Sequence, residues 1–179
     1  MTQALLAKLP RSYLDLMERW GPGEGFIGTR YFRLYPLDEI AAANDAYGTD
    51  SWLAGHLIFG SDGCGDAYLF DLRSEPAHVI EAPFIPLDTD YVSARHPDFE
   101  SFLAGLAALR EGATESLPLA ANPKTHGLEV HEIHPIVLGG DPCAPDNKVL
   151  LKPPVHAEAC MFFNRVFRTV REKSRQETR

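Results

Sequence analysis

The residues best suited to chemistry lie in the carboxyl-terminal third of the sequence. His156 and Cys160 are four positions apart in a stretch with helical periodicity, so both side chains would point to the same face. Imidazole and thiolate groups are preferred zinc ligands, and the pair could therefore hold a metal ion. His131 and His134 precede the pair, and Cys143 lies in the turn between. A metal-dependent enzyme that uses His156 and Cys160 is therefore one hypothesis.

Two features of this region argue against a metal site. His131 and His134 are three positions apart in a stretch with strand character, where side chains at that spacing point to opposite faces of a sheet. The chain also contains neither a Cys-x-x-Cys nor a His-Glu-x-x-His motif, which are the more specific zinc signals. We therefore expect packed or surface histidines, with no bound metal and no other cofactor.

The glycine-rich segment 60–65 is the second region that could do chemistry. It is not a phosphate loop, because no Lys-Ser/Thr pair follows and the next element has strand rather than helix character. Asp62, Asp66 and Asp71 lack the alternating oxygen ligands of a calcium-binding EF-hand loop. Asp62 in a Gly-Ser-Asp-Gly turn is better explained as a cap on its own backbone amides.

Cys64 and Ser61 in the same segment are the candidate nucleophiles. A nucleophile of this kind needs a neighbouring base and usually a strand–elbow–helix turn, and the sequence around both residues shows neither. We therefore predict no catalytic residues.

These residues must be positioned by a central β-hairpin. Two apolar runs, Leu57–Phe59 and Ala67–Leu72, flank the glycine segment. Tyr68 and Phe70 alternate with their neighbours at the period of two that indicates a strand. Glycine reaches positive φ without a Cβ clash, so the segment predicts a wide turn between two paired strands.

Helices and further strands are predicted on both sides of the hairpin. Pro10 opens a helix with Tyr13, Leu14, Met17 and Trp20 on one face, and Gly21 ends it. Trp20, Trp52 and Tyr68 are expected in the core or half-buried. The other predicted elements are strands at 26–28, 31–35 and 77–81, a helix at 37–46, an irregular segment at 88–96 and a helix from Pro97 to Gly112.

Beyond residue 112 the sequence predicts a hairpin followed by a long helix. The strands are expected near 132–138 and 147–151, around a Gly/Asp/Pro turn. The helix begins at Pro154, and its apolar face is expected to bury against the sheet of the first part. That face consists of Val155, Ala159, Phe162, Phe163, Val166, Phe167 and Val170.

Composition and charge restrict the classes of function. The chain has 179 residues, enough for one proper core, and 45% of them are apolar. Its net charge of −8 argues against nucleic-acid binding and suits a basic protein partner. The odd number of cysteines, three, favours a reducing cytoplasm. The amino-terminal residues have no basic start followed by a long apolar core, so we expect no signal peptide, and no apolar run approaches the length that spans a bilayer.

Four short motifs follow one another in a recognisable order. They are Leu9-Pro10-x-x-Tyr13, Leu34-Tyr35-Pro36-Leu37-Asp38-Glu39-Ile40, the stretch Leu57–Arg73 with its Gly-Ser-Asp-Gly-x-Gly-Asp-Ala turn, and Asp98-Phe99-Glu100-Ser101-Phe102-Leu103. Together they resemble the SMI1/KNR4 (SUKH) family over about residues 9–110. Members are associated with bacterial toxin–immunity systems and, in fungi, with cell-wall regulation. The resemblance implies an α+β fold, with a single mixed, mainly antiparallel sheet packed against several helices.

The resemblance also implies how the chain is organised and what it does. Residues 1–112 would form the SMI1/KNR4-like domain, and the hairpin and helix of 113–179 would pack on the same core. The protein would bind another protein as a monomer or weak dimer, without catalysis, and neutralise a toxin such as a nuclease. The alternative is a housekeeping module that regulates or scaffolds a cellular protein.

Acidic loop residues beside amphipathic aromatic residues are the predicted contact surface. Carboxylates steer basic partners, and tyrosine is enriched where proteins meet. The predicted binding residues are Glu24, Asp62, Asp66, Asp88, Asp90 and Tyr91.

Overall fold

A six-stranded antiparallel sheet forms the centre of the protein. The computed structural model describes residues 7–27, 30–108 and 126–177. The strands are β1 Gly23–Ile27, β2 Arg30–Leu34, β3 His56–Ser61, β4 Asp66–Asp71, β5 His78–Pro83 and β6 Ala94–His96. They lie side by side in chain order, and each neighbouring pair is antiparallel. The sheet is therefore a meander.

Helices and a small second sheet surround the meander. The helices are α1 Arg11–Trp20, α2 Ile40–Tyr47, α3 Thr49–Trp52, α4 Phe99–Ala108 and α5 Pro153–Glu177. The small sheet pairs β7 Glu129–Glu132 with β8 Lys148–Leu151. The predicted α+β class is confirmed. Within the described residues, no helix combines the length and apolar character that crossing a membrane requires.

The predicted central hairpin is confirmed as β3 and β4. Gly63 and Gly65 in the turn have φ of 67° and 125°, a region that side-chain-bearing residues rarely adopt. Gly60 has a different role. A Cβ at Gly60 would lie 2.2 Å from the carbonyl oxygen of Arg33, so glycine allows β2 to approach β3 closely.

Aromatic rings fill the space between α1, α4 and the hairpin. The buried Tyr13 ring of α1 packs edge-on against Phe59, Phe70 and Phe99, at centroid distances of 5.5, 5.1 and 5.3 Å. Phe59 and Phe70 stack on each other at 4.1 Å across the hairpin. These edge-to-face and stacked pairs fix the helices on one side of the sheet.

The tryptophans differ from one another in their surroundings. Trp20 was predicted on the buried face of its helix, but its side chain is 73% exposed because α1 ends there and the chain turns away at Gly21. Trp52 is half-buried beneath Arg168, whose guanidinium lies 4.1 Å from the ring centre. Tyr68 is fully buried, as expected.

The segment predicted as irregular, 88–96, contains a sixth strand. Residues Thr89–Tyr91 form a 3₁₀ turn, and β6 then pairs with β5, with His96 opposite Val79. The buried Glu81 carboxylate holds this edge, because it lies 2.9 Å from Nε2 of His96. The prediction of irregular structure was therefore wrong for 94–96.

The carboxyl-terminal hairpin exists, but its first strand is Glu129–Glu132, so the predicted position of 132–138 was wrong. The strand ends at Glu132, and Pro135, which cannot donate to a ladder, leads into the 3₁₀ turn Ile136–Leu138. The small sheet joins the meander through a hydrogen bond of 3.1 Å from the Val130 amide to the Gly63 carbonyl.

The long helix α5 buries a more polar face than predicted. Its buried residues include His156, Ala157, Cys160 and Asn164. Three residues of the predicted apolar face are about half exposed: Val155, Phe162 and Val170. The polar face is satisfied, because Asn164 accepts from the Leu87 amide and donates to the Phe84 carbonyl, each at 3.0 Å. The prediction failed because α5 packs on α2 and β7, not on an open face of the large sheet.

The boundary predicted near residue 112 lies outside the described residues, as does the predicted end of α4 at Gly112. The division into 1–112 and 113–179 therefore stays a prediction.

Candidate functional site

A cavity of about 120 Å³ lies where the glycine turn meets the carboxyl-terminal segment. We call it the turn cavity. Its more exposed lining includes Cys64, Asp66, Glu132 and Ile136. Its buried lining includes His131, His156 and Cys160. The two sets of residues have different chemistry and are described separately.

The buried lining is a His–His–Cys cluster. His131 comes from β7, and His156 and Cys160 come from successive turns of α5. One potential ligand atom from each lies within 4.8 Å of the others. The Cys160 Sγ atom is 3.5 Å from Nε2 of His156, and the two imidazole rings cross almost perpendicularly at 5.3 Å between centroids.

Burial keeps these groups neutral. Loss of hydration lowers the pKa of His156 to about 3 and also lowers that of His131. Burial raises the pKa of the Cys160 thiol. The Tyr47 hydroxyl lies 2.9 Å from Nδ1 of His156 and orients the ring. Neutral imidazole is the form that binds metal ions, whereas a thiol binds them as thiolate, so Cys160 would release its proton to solvent when a metal ion binds.

The other sequence candidates for this cluster lie elsewhere. His134 is exposed, and its Nε2 donates to the Leu138 carbonyl at 2.9 Å. Cys143 is exposed in the β7–β8 connection. His131 and His134 are apart, but not for the reason that the strand argument gave, because His134 lies beyond the end of β7 and not on the same strand. The sequence did not predict that His131 lies against His156 and Cys160, because that contact depends on how β7 packs on α5.

A buried carboxylate joins the two sheets next to the cavity. Glu129 accepts hydrogen bonds from Arg33 Nη1 at 2.8 Å, from the Ser61 hydroxyl at 3.1 Å and from the Tyr35 hydroxyl at 3.4 Å. Burial raises the pKa of Glu129 to about 7, and Arg33 and Ser61 oppose this rise. Sequence reasoning missed Glu129, which resembles any other acidic residue in a strand.

The two candidate nucleophiles, Ser61 and Cys64, have different surroundings. The Ser61 hydroxyl donates to Glu129, and the described residues place no histidine against it. Partial desolvation, with Asp62 beside it, raises the pKa of Cys64 to about 11, so its thiol is protonated at neutral pH.

Two of the predicted acidic binding residues are engaged close to the turn and β1. Glu24 pairs with Arg33 at 3.6 Å and with His126 at 2.7 Å. Asp62 accepts hydrogen bonds from the amides of Cys64 and Asp66, at 2.8 and 2.9 Å, as expected for a turn cap. Both carboxylates stabilise local structure.

Three more predicted binding residues lie against α5. Asp88 and Asp90 both pair with Arg171, and the Asp88 contact is 2.8 Å. Tyr91 packs edge-on against Phe167 at 5.6 Å and keeps an exposed side chain. A partner would have to compete with Arg171 for these carboxylates.

The sixth predicted residue, Asp66, has a different environment. Among the residues that the structure describes, its carboxylate has no hydrogen-bond or ion-pair partner. Burial and the adjacent Asp62 raise the pKa of Asp66 to about 6. The positive charge of Arg30 opposes this rise, and the side chain carries a negative charge beside the turn cavity at neutral pH.

Comparison with known proteins gives one result. No curated protein matches the chain. Residues 2–105 match the SMI1 / KNR4 family (SUKH-1), a stretch that contains all four sequence motifs. Because this match covers more than half of the chain, the protein belongs to the SMI1/KNR4 (SUKH-1) family.

Proposed function

We propose that this protein is a non-catalytic immunity domain that binds and neutralises a cognate bacterial toxin in the cytoplasm. Membership of the SMI1/KNR4 (SUKH-1) family supports an immunity-protein type of domain in general terms. The net charge of −8 supports a basic partner, such as a nuclease, because opposite charge accelerates encounter. The toxin would be inhibited by occlusion of its active site.

The carboxylate of Asp66, which has no ion-pair partner in the described residues, is the observation that indicates where the toxin binds. Keeping a partly buried, unpaired acid beside Asp62 costs the folded protein stability. A lysine or arginine from a partner would neutralise this charge and recover that cost. Carboxyl groups whose pKa is shifted by burial and by a neighbouring charge are typical of functional sites.

The surroundings of Asp66 have the composition of an interface. Ile136 lines the same cavity and is 52% exposed, and its neighbour Ile133 is 56% exposed. Glu132 adds a second carboxylate to the cavity lining. Exposed apolar side chains bordered by charge are common in protein–protein contacts. We therefore propose that the toxin docks over the exposed mouth of the turn cavity.

Absence of catalysis is part of the same proposal. In the described residues, the base beside Ser61 is the Glu129 carboxylate, which Arg33 and the Tyr35 hydroxyl also hold in place, and no histidine lies against Ser61. The hydrogen bonds of Glu129 to Arg33, Tyr35 and Ser61 hold the small sheet against the large one.

The test mixes the full chain with the product of the neighbouring gene, made catalytically inactive. Calorimetry should show a 1:1 complex, and the association rate should fall as salt rises. Asp66→Lys should lower the association rate about 10-fold, by charge repulsion with a basic partner. The matched control is Asp38→Lys, an equal charge change at an exposed site, which should change the rate less than about two-fold.

Two outcomes would contradict the proposal. Absence of a complex with the neighbouring gene product would remove the immunity role and favour the housekeeping alternative. If neither Asp66→Lys nor Asp38→Lys changes the association rate, the immunity role stands, but the contact surface lies away from the turn cavity.

A further inference from the structure

We propose that His131, His156 and Cys160 form a zinc site whose fourth coordination position opens into the turn cavity. The site goes beyond the immunity role, and its test needs no toxin. All three ligands lie outside the residues that match the family, 2–105, so the site belongs to the carboxyl-terminal segment of this chain.

Distances within the cluster fit a tetrahedral ion. Zinc binds sulfur at about 2.3 Å and imidazole nitrogen at about 2.0–2.1 Å, so the sulfur–nitrogen edge of a tetrahedron is about 3.6 Å. The observed separation of Cys160 Sγ and His156 Nε2 is 3.5 Å. All three ligand atoms lie within 4.8 Å of one another, so no pair exceeds such an edge by much more than about 1 Å, which a small side-chain rotation can close.

Tyr47 supplies the outer hydrogen bond that metal-binding histidines usually have. With the proton on Nδ1 of His156, the ring donates to the Tyr47 hydroxyl at 2.9 Å. Nε2 is then unprotonated and available to a metal ion. Cys160 Sγ lies 3.5 Å from Nε2 and 3.8 Å from Nδ1, beside the ring, so the Cys160 side chain must rotate to bring its sulfur towards the Nε2 lone pair. Edge-on contact with Phe84, at 5.0 Å, holds the ring in this orientation.

The ligands come from rigid elements that other contacts already hold together. His156 and Cys160 are four positions apart on α5, which is the helical spacing that lets both reach one ion. His131 is held across from them because its ring packs at 5.9 Å from Phe163 and its neighbour Val130 bonds to the glycine turn. A bound ion would therefore cross-link β7 to α5.

Three ligands leave room for a fourth. The turn cavity, of about 120 Å³, adjoins the cluster and is large enough for a bound water. Three protein ligands with an open position are typical of zinc sites that can accept an outside ligand.

The first test is zinc binding by the purified full chain, reduced and stripped of metal. We expect one equivalent of Zn²⁺ to bind, and the melting temperature to rise by about 5–10 °C at zinc concentrations 100-fold above Kd. A chelator should reverse the rise. Co²⁺ in the same site should show the intense visible absorption of a tetrahedral thiolate complex.

Variants then assign the ligands. Cys160→Ser and His131→Gln should each weaken zinc binding by at least about 100-fold, because each removes a direct ligand. The controls Cys143→Ser and His134→Gln change the same residue types at exposed positions and should leave the affinity unchanged.

The wild-type measurements decide the matter even if a ligand variant does not fold. No zinc uptake and no thermal shift in the wild type would overturn the site, and the cluster would then be a hydrogen-bonded packing feature. Equal affinity in Cys160→Ser would do the same. Failure of either kind leaves toxin binding untouched, because Asp66→Lys tests that separately.

Discussion

The Glu129 carboxylate and the Arg33 guanidinium lie 2.8 Å apart and join β7 to β2 across 96 positions of sequence. Glu129 is fully buried, and Arg33 also contacts Glu24. A buried pair of this kind stabilises only while both partners are present, because either one alone is a desolvated charge. The pair therefore makes the position of the small sheet depend on the large one.

Removal of Glu129 should test that dependence. We expect Glu129→Ala to lower the free energy of unfolding by about 3 kcal/mol, because Arg33 loses a buried partner. Glu129→Gln keeps the shape and one acceptor, and should cost less. Urea denaturation measures both, and Glu158→Ala, an exposed change on α5, should lie within about 0.5 kcal/mol of the wild type. Equal stability of Glu129→Ala and the control would show that the pair contributes nothing.

Gly60 should be intolerant of any side chain. Its added Cβ would meet the Arg33 carbonyl at 2.2 Å, so Gly60→Ala must push β2 away from β3. We expect a loss of about 3 kcal/mol or more in thermal or urea unfolding. Gly25→Ala in β1 is the matched control, since a Cβ there meets nothing within 4 Å. Similar losses in both variants would mean that backbone entropy, not the close approach, explains the glycine.

The unpaired Asp66 should make stability depend on pH. Its pKa rises from 3.8 to about 6 on folding, so the folded state holds the proton more tightly than the unfolded state. Stability contributed by this group is therefore complete below about pH 4 and is lost as pH rises through 6. Asp66→Asn should flatten this part of the profile and raise stability at pH 7 by about 1 kcal/mol, allowing for solvent screening. Asp38→Asn should do neither, and an unchanged profile in Asp66→Asn would refute the assignment.

The hydroxyl of Tyr47 should tune the zinc site without binding the ion. Tyr47→Phe removes the hydrogen bond to Nδ1 of His156, and we expect zinc affinity to fall 10- to 100-fold. Tyr13→Phe is a fitting control, because the buried Tyr13 hydroxyl has no partner among the described residues and lies outside the cluster. If both variants bind zinc as the wild type does, Tyr47 serves packing alone.

The sequence allowed the hairpin and the first helix to be predicted because each has a strong local signal. Glycine spacing and a period of two marked β3 and β4, and Pro10 and Gly21 marked the ends of α1. The strand β6 was not predicted, because its three residues, Ala94–His96, are too few to show an alternation of apolar and polar side chains. Propensity could not reveal a strand that depends on its pairing with β5.

The candidate site was only partly predictable for a similar reason. The spacing of His156 and Cys160 indicated a shared face, but the contribution of His131 depends on the packing of β7 against α5. The acidic loop residues were chosen by type, and type does not reveal that Arg171 already pairs with both Asp88 and Asp90. Only the folded arrangement distinguishes Asp66 from the other carboxylates.

The bond from the Val130 amide to the Gly63 carbonyl has a consequence for the surface around Asp66. It sets a segment outside the family match beside the turn that carries Asp66. The carboxyl-terminal segment of this chain therefore supplies Glu132 and Ile136 as neighbours of a carboxylate that the meander itself carries.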